Sequence, residues 1–314
     1  MRRFVFARGG PQGRVGRAAT LAGVLLALTS LLAGCAPFNY VAPDAPIASS
    51  TVARMMPPPR IAVVLGSGGP RGYAHVGFIK VIEQAGITPD LIVGSSVGSL
   101  IGAFWASGMS AVDIEAKALS GGPLTLFDPN PFADRGWIRG QKLQDYVANE
   151  LSTSALEQLK RRLVVVATRR DDKTAAFFLR GNVSVAVRAS SAVPKVISPV
   201  GISGVEYEDG DESLPLAVKA ARDAGAQFVI AVDVSAVDGS APPGVSPDWL
   251  IRDAKRRSRI APEVAQADFL IHPDMGYFAS PRREFFLRAQ AAGERETTAS
   301  LPELLSLLKA RGLR

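Results

Sequence analysis

The sequence predicts an α/β fold in three layers, with helices covering both faces of a mostly parallel central sheet. Two strand-turn-helix units follow one another between residues 61 and 106, and further short apolar runs recur at 163–168, 228–234 and 269–272 with helical patterns between and after them. Consecutive units of that kind run parallel. A parallel sheet is buried on both faces, so its strands read as continuous apolar runs rather than as alternation. The 314 residues, 47% of them hydrophobic, suffice for one such domain with tails.

The N-terminus carries Arg2, Arg3, Arg8, Arg14 and Arg17 and no acidic residue, then an apolar run from Ala18 to Ala33. That run is broken by Thr20, Thr29 and Ser30 and falls short of the roughly 20 apolar residues of a spanning helix. Residues 1–34 therefore read as a secretory signal. It ends in Leu32-Ala33-Gly34-Cys35, which holds the single cysteine of the chain. This tetrad resembles the lipobox of bacterial lipoproteins, which implies that Cys35 is lipidated and opens the mature protein. Ala36 after it implies delivery to the outer membrane, facing the periplasm. Loss of the five arginines lowers the formal charge from +7 to +2, so the basic balance gives no argument for nucleic acid. From Cys35 to Pro59 the chain is rich in Pro, Ala and Ser without strand or helix period, and is expected to be a tether.

Beyond it, Ile61-Ala62-Val63-Val64-Leu65 suits a buried strand, followed by a helix from Gly72 to Gln84 whose Val76, Ile79 and Ile82 face the sheet. Residues 91–93 form the next strand and Val97 to Ala106 the next helix. Gly121 to Gly140 is irregular yet apolar, which suits a packed surface connection or a cover over a cleft. Helices are expected at Gln141–Leu151, Pro215–Ala224 and Ser300–Ala310, the last packing Leu301, Leu304, Leu305 and Leu308 on the sheet. A basic run, Arg252, Lys255, Arg256, Arg257 and Arg259, reads first as a solvated helix face and second as a contact for anionic headgroups.

The chemistry centres on Gly94-Ser95-Ser96-Val97-Gly98, a G-x-S-x-G pattern between a strand and a helix. Such an elbow holds a nucleophilic serine on a sharp turn, and Gly94 and Gly98 supply the small neighbours it needs. The following helix turns its free N–H groups toward Ser96. A second glycine-rich turn, Gly66 to Gly72, also precedes a helix. It fails as a dinucleotide loop because Arg71 stands at the third glycine position and no acidic residue closes the next strand. It suits the amide donors of an oxyanion hole instead. The only histidines, His75 and His272, lack an acidic neighbour of the kind a triad needs, apart from Asp274 near His272. A buried carboxylate can serve as the base. Spacing alone leaves Glu206, Glu208, Asp209 and Asp211 open.

The ordered motifs Gly66-Ser67-Gly68-Gly69-Pro70-Arg71-Gly72, Gly94 to Gly98 and Asp209-Gly210, with the stretch Arg188 to Val200 before the last, resemble the patatin-like phospholipases over roughly Ile61 to Ala220. The resemblance implies a patatin-like three-layer α/β/α fold and a Ser-Asp dyad, with Ser96 as nucleophile and Asp209 as its base. It implies an oxyanion hole at Gly68, Gly69, Arg71 and Gly72, Pro70 having no N–H to donate. Two departures stand out: Asp211 and Glu212 follow the Asp-Gly where relatives have Gly or Ala, and Lys195 follows Pro194 where relatives often have Gly. The implied activity is lipid acyl hydrolysis of the phospholipase A or lysophospholipase type, through an acyl-enzyme. An acyltransferase and a weakly active lipid-binding envelope protein are the alternatives. No cofactor is expected and no metal site is visible. The implied organisation is a signal over 1–34, a lipidated tether over 35–59, a catalytic domain over 60–235 and a helical extension over 236–314 packed on the same domain.

Overall fold

The computed structural model describes residues 39–120, 126, 128–130 and 135–314; the signal, Cys35 and part of the 121–140 stretch lie outside them. The described chain opens with β1 (Asn39–Tyr40), β2 (Ala48–Ser49) and β3 (Ile61–Leu65). A 3-10 turn over Gly69–Gly72 leads to α1 (Tyr73–Gln84), β4 (Leu91–Ser95), α2 (Val97–Ser107) and α3 (Ala111–Ser120). Next come β5 (Gly136–Ile138), α4 (Gln141–Glu150), β6 (Arg162–Arg169), β7 (Ala175–Phe178), α5 (Val183–Ser190), β8 (Lys195–Ile197), β9 (Val200–Ile202) and β10 (Val205–Glu208). The chain closes with α6 (Val218–Asp223), β11 (Phe228–Val232), α7 (Pro247–Val264), β12 (Phe269–Ile271) and α8 (Arg283–Ala310).

The centre of the main sheet is parallel, in the order β6-β4-β3-β11-β12, as expected for strands linked through helices. The additions to β6 are antiparallel: β7 pairs along its outer edge, and β10, carrying β9, pairs with it beyond the end of β4. Every residue of β3 and of β11 is buried, which accounts for their unbroken apolar sequence. Ala62, Val64, Val93, Val164 and Val229 pack with α6 and with Ile260 of α7 on one face. On the other face, Gly102 of α2 lies against Ile92, Leu163 and Leu65. Helices thus cover both faces, giving three layers.

The C-terminal leucine pattern is only the end of α8, which runs 28 residues; Leu304 and Leu308 are buried and Leu307 is exposed. Its first half packs on α1 where Gly77 faces Gln290 and Gly293 faces Ala74, each so close that an added Cβ would overlap backbone. The expected helix over Pro215–Ala224 is shorter, Val218–Asp223.

Residues 39–59 correct the expected tether. β1 pairs with β9, β2 pairs with β7, and Val52 is buried in the core. Unpaired edge strands carry free N–H and C=O groups, and these short segments satisfy them. Strands of two residues have no readable period, which is why composition alone suggested a free linker.

Candidate active site

Ser96 stands at the end of β4 with φ 53° and ψ −123°, a conformation that residues with side chains rarely adopt. Packing enforces it. An added Cβ at Gly94 would overlap the Gly98 carbonyl, and one at Gly98 would overlap the Leu65 carbonyl, so neither position admits another residue without movement. The Ser96 N–H donates to Ser190 Oγ at 2.9 Å, whose own hydroxyl donates to the Val166 carbonyl at 2.5 Å, fastening the turn to β6. α2 begins immediately afterwards and directs its N-terminal amides and positive dipole end at the serine.

The Ser96 hydroxyl donates to Asp209 Oδ2 at 2.7 Å, and both side chains are buried. Asp209 Oδ1 accepts the Asp211 N–H at 2.8 Å, while its carbonyl accepts Thr168 Oγ1 at 2.7 Å. Gly210 is required beside it, because a Cβ there would overlap Ser95 Oγ. Burial, then the negative charges of Asp211 and Glu212, push the Asp209 carboxyl up to about 7, against the hydrogen bonds from Asp211 and Ser96. A carboxylate of that basicity can take a proton from a hydroxyl near neutral pH.

The other carboxylates left open by spacing are engaged elsewhere. Glu206 pairs with Arg135 and Arg170 at 2.8 Å each, and Glu208 with Lys173 at 2.5 Å. Asp211 accepts Arg256 Nε at 2.8 Å and also the Ser67 hydroxyl. Burial opposes its charge, but Arg256 and Ser67 outweigh that and hold its carboxyl below the usual range. The extra acidic residue after Asp-Gly is therefore neutralised by a partner that sequence spacing did not reveal. Lys195, the other departure, has φ 66°, in the left-handed region that favours glycine.

Neither histidine touches Ser96. His75 is wholly buried, its Nε2 meeting the Gly66 carbonyl at 2.8 Å, and burial lowers its pKa to about 4. The neutral ring thus donates to the base of the glycine-rich loop. His272 Nε2 meets the Ser235 carbonyl at 3.2 Å and lies 3.8 Å from Asp233; Asp274 instead accepts the Gly276 N–H.

Gly68, Gly69, Pro70 and Arg71 line the same cavity as Ser96 and Asp209, whose volume is about 360 Å3. The Arg71 N–H is committed to the Gly68 carbonyl at 3.2 Å, whereas among the described residues the Gly68 and Gly69 amides meet no protein acceptor. Gly72 lies outside the lining, and a Cβ there would overlap Val97; its part is to let the loop approach the elbow. The Arg71 guanidinium donates to the Tyr277 carbonyl.

The opposite wall comes from a source not foreseen in the sequence. Trp249, Asp253, Arg256 and Arg257 of α7 line the cavity at helical spacing, so part of the basic run faces the cleft rather than solvent. Arg256 Nη2 donates to the Ser67 carbonyl at 2.7 Å and Arg259 donates to the Glu212 carbonyl. These arginines bind α7 to both loops of the site. The remaining wall includes Val193, Pro194 and Tyr277.

A strand-elbow serine on a buried carboxylate, beside a glycine-rich turn, is the arrangement found. Residues 63–217 match the family model described as patatin-like phospholipase, and the chain belongs to that family. An uncharacterized NTE family protein of Mycobacterium tuberculosis is 35% identical over 208 residues, which are 64% of this chain and 58% of that protein. The Coccidioides immitis protein named lysophospholipase NTE1 is 31% identical over 189 residues, 59% of this chain and 12% of that much longer protein. Among solved structures, VipD from Legionella pneumophila aligns over 85% of this chain and 71% of its own with a TM-score of 0.52 at 13% identity, a likeness of fold alone. The chain thus spans under two thirds of the length of these curated relatives.

Proposed function

We propose that this protein is a lipid acyl hydrolase of the phospholipase A or lysophospholipase type, in which Ser96 is the nucleophile and Asp209 its general base. The 2.7 Å contact from Ser96 Oγ to Asp209 Oδ2 carries this reading, because it joins a strained elbow serine to a carboxylate basic enough to accept its proton. The unengaged Gly68 and Gly69 amides in the same cavity support an oxyanion hole there. The similarity to a protein named lysophospholipase supports a lipid ester as substrate.

As Ser96 Oγ bonds to the ester carbonyl carbon, its proton passes to Asp209 and the carbonyl oxygen becomes an anion facing the loop amides. Collapse breaks the ester C–O bond, and Asp209 returns the proton to the departing alcohol. Water then attacks the acyl-serine and gives its proton to Asp209, and the fatty acid leaves as Ser96 regains that proton. Electrostatic stabilisation by one well-aimed donor is typically worth about 10²- to 10³-fold in rate.

Fatty-acid release from lysophospholipid, phospholipid vesicles and short-chain esters tests the activity. Release by the parent and none by Ser96→Ala or Asp209→Asn supports it; no release from any of the three by the folded parent contradicts it. We also propose that Cys35 carries a lipid anchor that holds the domain at the periplasmic side of the outer membrane, on the strength of Leu32-Ala33-Gly34-Cys35. Incorporation of a labelled fatty acid that survives in the parent and is lost in Cys35→Ser tests it.

A further inference from the structure

α7 does more than wall the cleft. Its first two turns carry Trp249, Leu250 and Ile251, which are 47%, 44% and 66% exposed. Trp249 lines the cavity that holds Ser96 and is half-exposed. Beside α7, Tyr277 lines the same cavity, and the neighbouring Phe278 is 57% exposed, its ring 5.1 Å from that of Tyr277. The Tyr277 hydroxyl donates to Asp253 of α7, so this loop and the helix form one rim. A run of large apolar side chains left in water at the entrance of a cleft is a feature to be explained, since single exposed residues are common but clusters mark contact surfaces.

Charge identifies the occupant. Arg252 and Lys255 follow directly on the same helix and both are exposed, while Arg256 and Arg257 are drawn toward Asp211 and Asp238. Arg252 stacks over the Trp249 ring at 4.9 Å, so a cation and an indole share one site on the rim. Indole at the level of the headgroups, aliphatic side chains beyond it and cations beside it is the arrangement by which proteins lie on an anionic bilayer. A protein partner would be met by apolar contact alone as readily; the paired cations favour a surface of anionic headgroups.

We propose that the mouth of the Ser96 cleft is a docking face for an anionic phospholipid bilayer, with Trp249, Leu250, Ile251 and Phe278 entering the interface and Arg252 and Lys255 meeting the headgroups. The proposal rests on the lipid hydrolase reading for its purpose, but its test does not require turnover. Docked in this way, the cleft opens onto the membrane, and a lipid reaches Ser96 without crossing bulk water.

The chain contains three tryptophans, Trp105, Trp137 and Trp249, of which Trp105 is wholly buried. The full chain carrying Ser96→Ala and Trp137→Phe therefore reports on Trp249 by fluorescence, without hydrolysis. It is mixed with vesicles of phosphatidylcholine brominated in the acyl chain, with and without phosphatidylglycerol. Quenching and a blue shift of Trp249, stronger with phosphatidylglycerol, are expected. Arg252→Gln with Lys255→Gln should lower the ratio of docked to undocked chain about thirtyfold, from roughly 1 kcal/mol per basic residue at an anionic surface. In a hydrolytically competent chain, Ile251→Asp with Phe278→Asp should depress release from vesicles and leave short-chain ester hydrolysis as it was. Unchanged Trp249 emission overturns the proposal, whether the chain stays in solution or reaches the vesicles through another part. So does a dimer that Ile251→Asp dissociates, which would assign the face to a second copy. A parent inactive on every ester would sink the hydrolase reading and leave the quenching result standing.

Discussion

Ser96 and Asp209 meet because the strands that carry them end one residue apart along β6. β4 runs parallel along β6 and ends with Ser95 beside Val166, while β10 runs antiparallel along the same edge and ends with Glu208 beside Thr168. One residue of β6 separates the two registers, and the next residue from each strand, Ser96 and Asp209, turns into the gap at 2.7 Å. Sheet pairing thus brings the carboxylate directly to the hydroxyl, with no histidine between them.

The basicity of Asp209 has a sign that can be tested. Its folded-state pKa is about 7, above the value near 4 of an unfolded aspartate, so between these values the folded chain holds a proton that the unfolded chain has released. Its contribution to stability is full below about pH 4 and is lost as pH rises through about 7. Activity runs the other way: kcat/KM for a neutral ester should rise with pH through an apparent pKa near 7. Asp211→Asn removes a neighbouring negative charge and should move that limb to lower pH; Arg256→Gln leaves Asp211 less neutralised and should move it higher. A pH-rate profile of each variant measures this.

Histidine variants separate the dyad from any Ser-His scheme. His75→Ala leaves the buried Gly66 carbonyl without its donor, at a cost of about 1–3 kcal/mol in thermal or urea unfolding. Activity should fall with the disturbed loop, yet the limb near pH 7 should stay in place. His272→Gln should leave both rate and profile nearly as they are.

Gly98→Ala sets helix propensity against packing. Alanine is favoured over glycine in a helix by up to about 1 kcal/mol. Here its Cβ would overlap the Leu65 carbonyl, and the expected result is a net loss of about 1–3 kcal/mol with reduced fatty-acid release. Calorimetric melting of the two chains reads the sign.

Lys195→Gly relieves a residue held at φ 66° whose side chain is exposed. Left-handed backbone costs a residue with a side chain roughly 1–2 kcal/mol, and glycine loses about 0.5–1 kcal/mol of that gain to unfolded-chain entropy. A stabilisation of about 0.5–1 kcal/mol is expected by denaturant titration.

The parallel core was legible in the sequence because its strands are continuous apolar runs, and Ser96 was legible because its glycines are local. Asp209 was not separable from Glu206, Glu208 and Asp211 by spacing, since what distinguishes them is their partners: Arg135, Lys173 and Arg256 lie 71, 35 and 45 residues away from the carboxylates they neutralise. The family likeness singled out Asp209. α7 was read as a solvated basic face because its spacing shows a stripe but not what the stripe faces. Arg256 is bound to Ser67, which lies 189 residues earlier. Residues 39–59 read as a tether for the same reason, their strands existing only through pairing with β9 and β7.

The most direct test of the central claim is the rate at which a serine-reactive fluorophosphonate labels the full chain, followed by mass spectrometry of the labelled peptide. Labelling at Ser96 alone is predicted, rising with pH through about 7, absent in Ser96→Ala and slowed by about 10²- to 10⁴-fold in a folded Asp209→Asn. Labelling of Asp209→Asn as fast as the parent, or a label on any other residue, would contradict a dyad of Ser96 and Asp209.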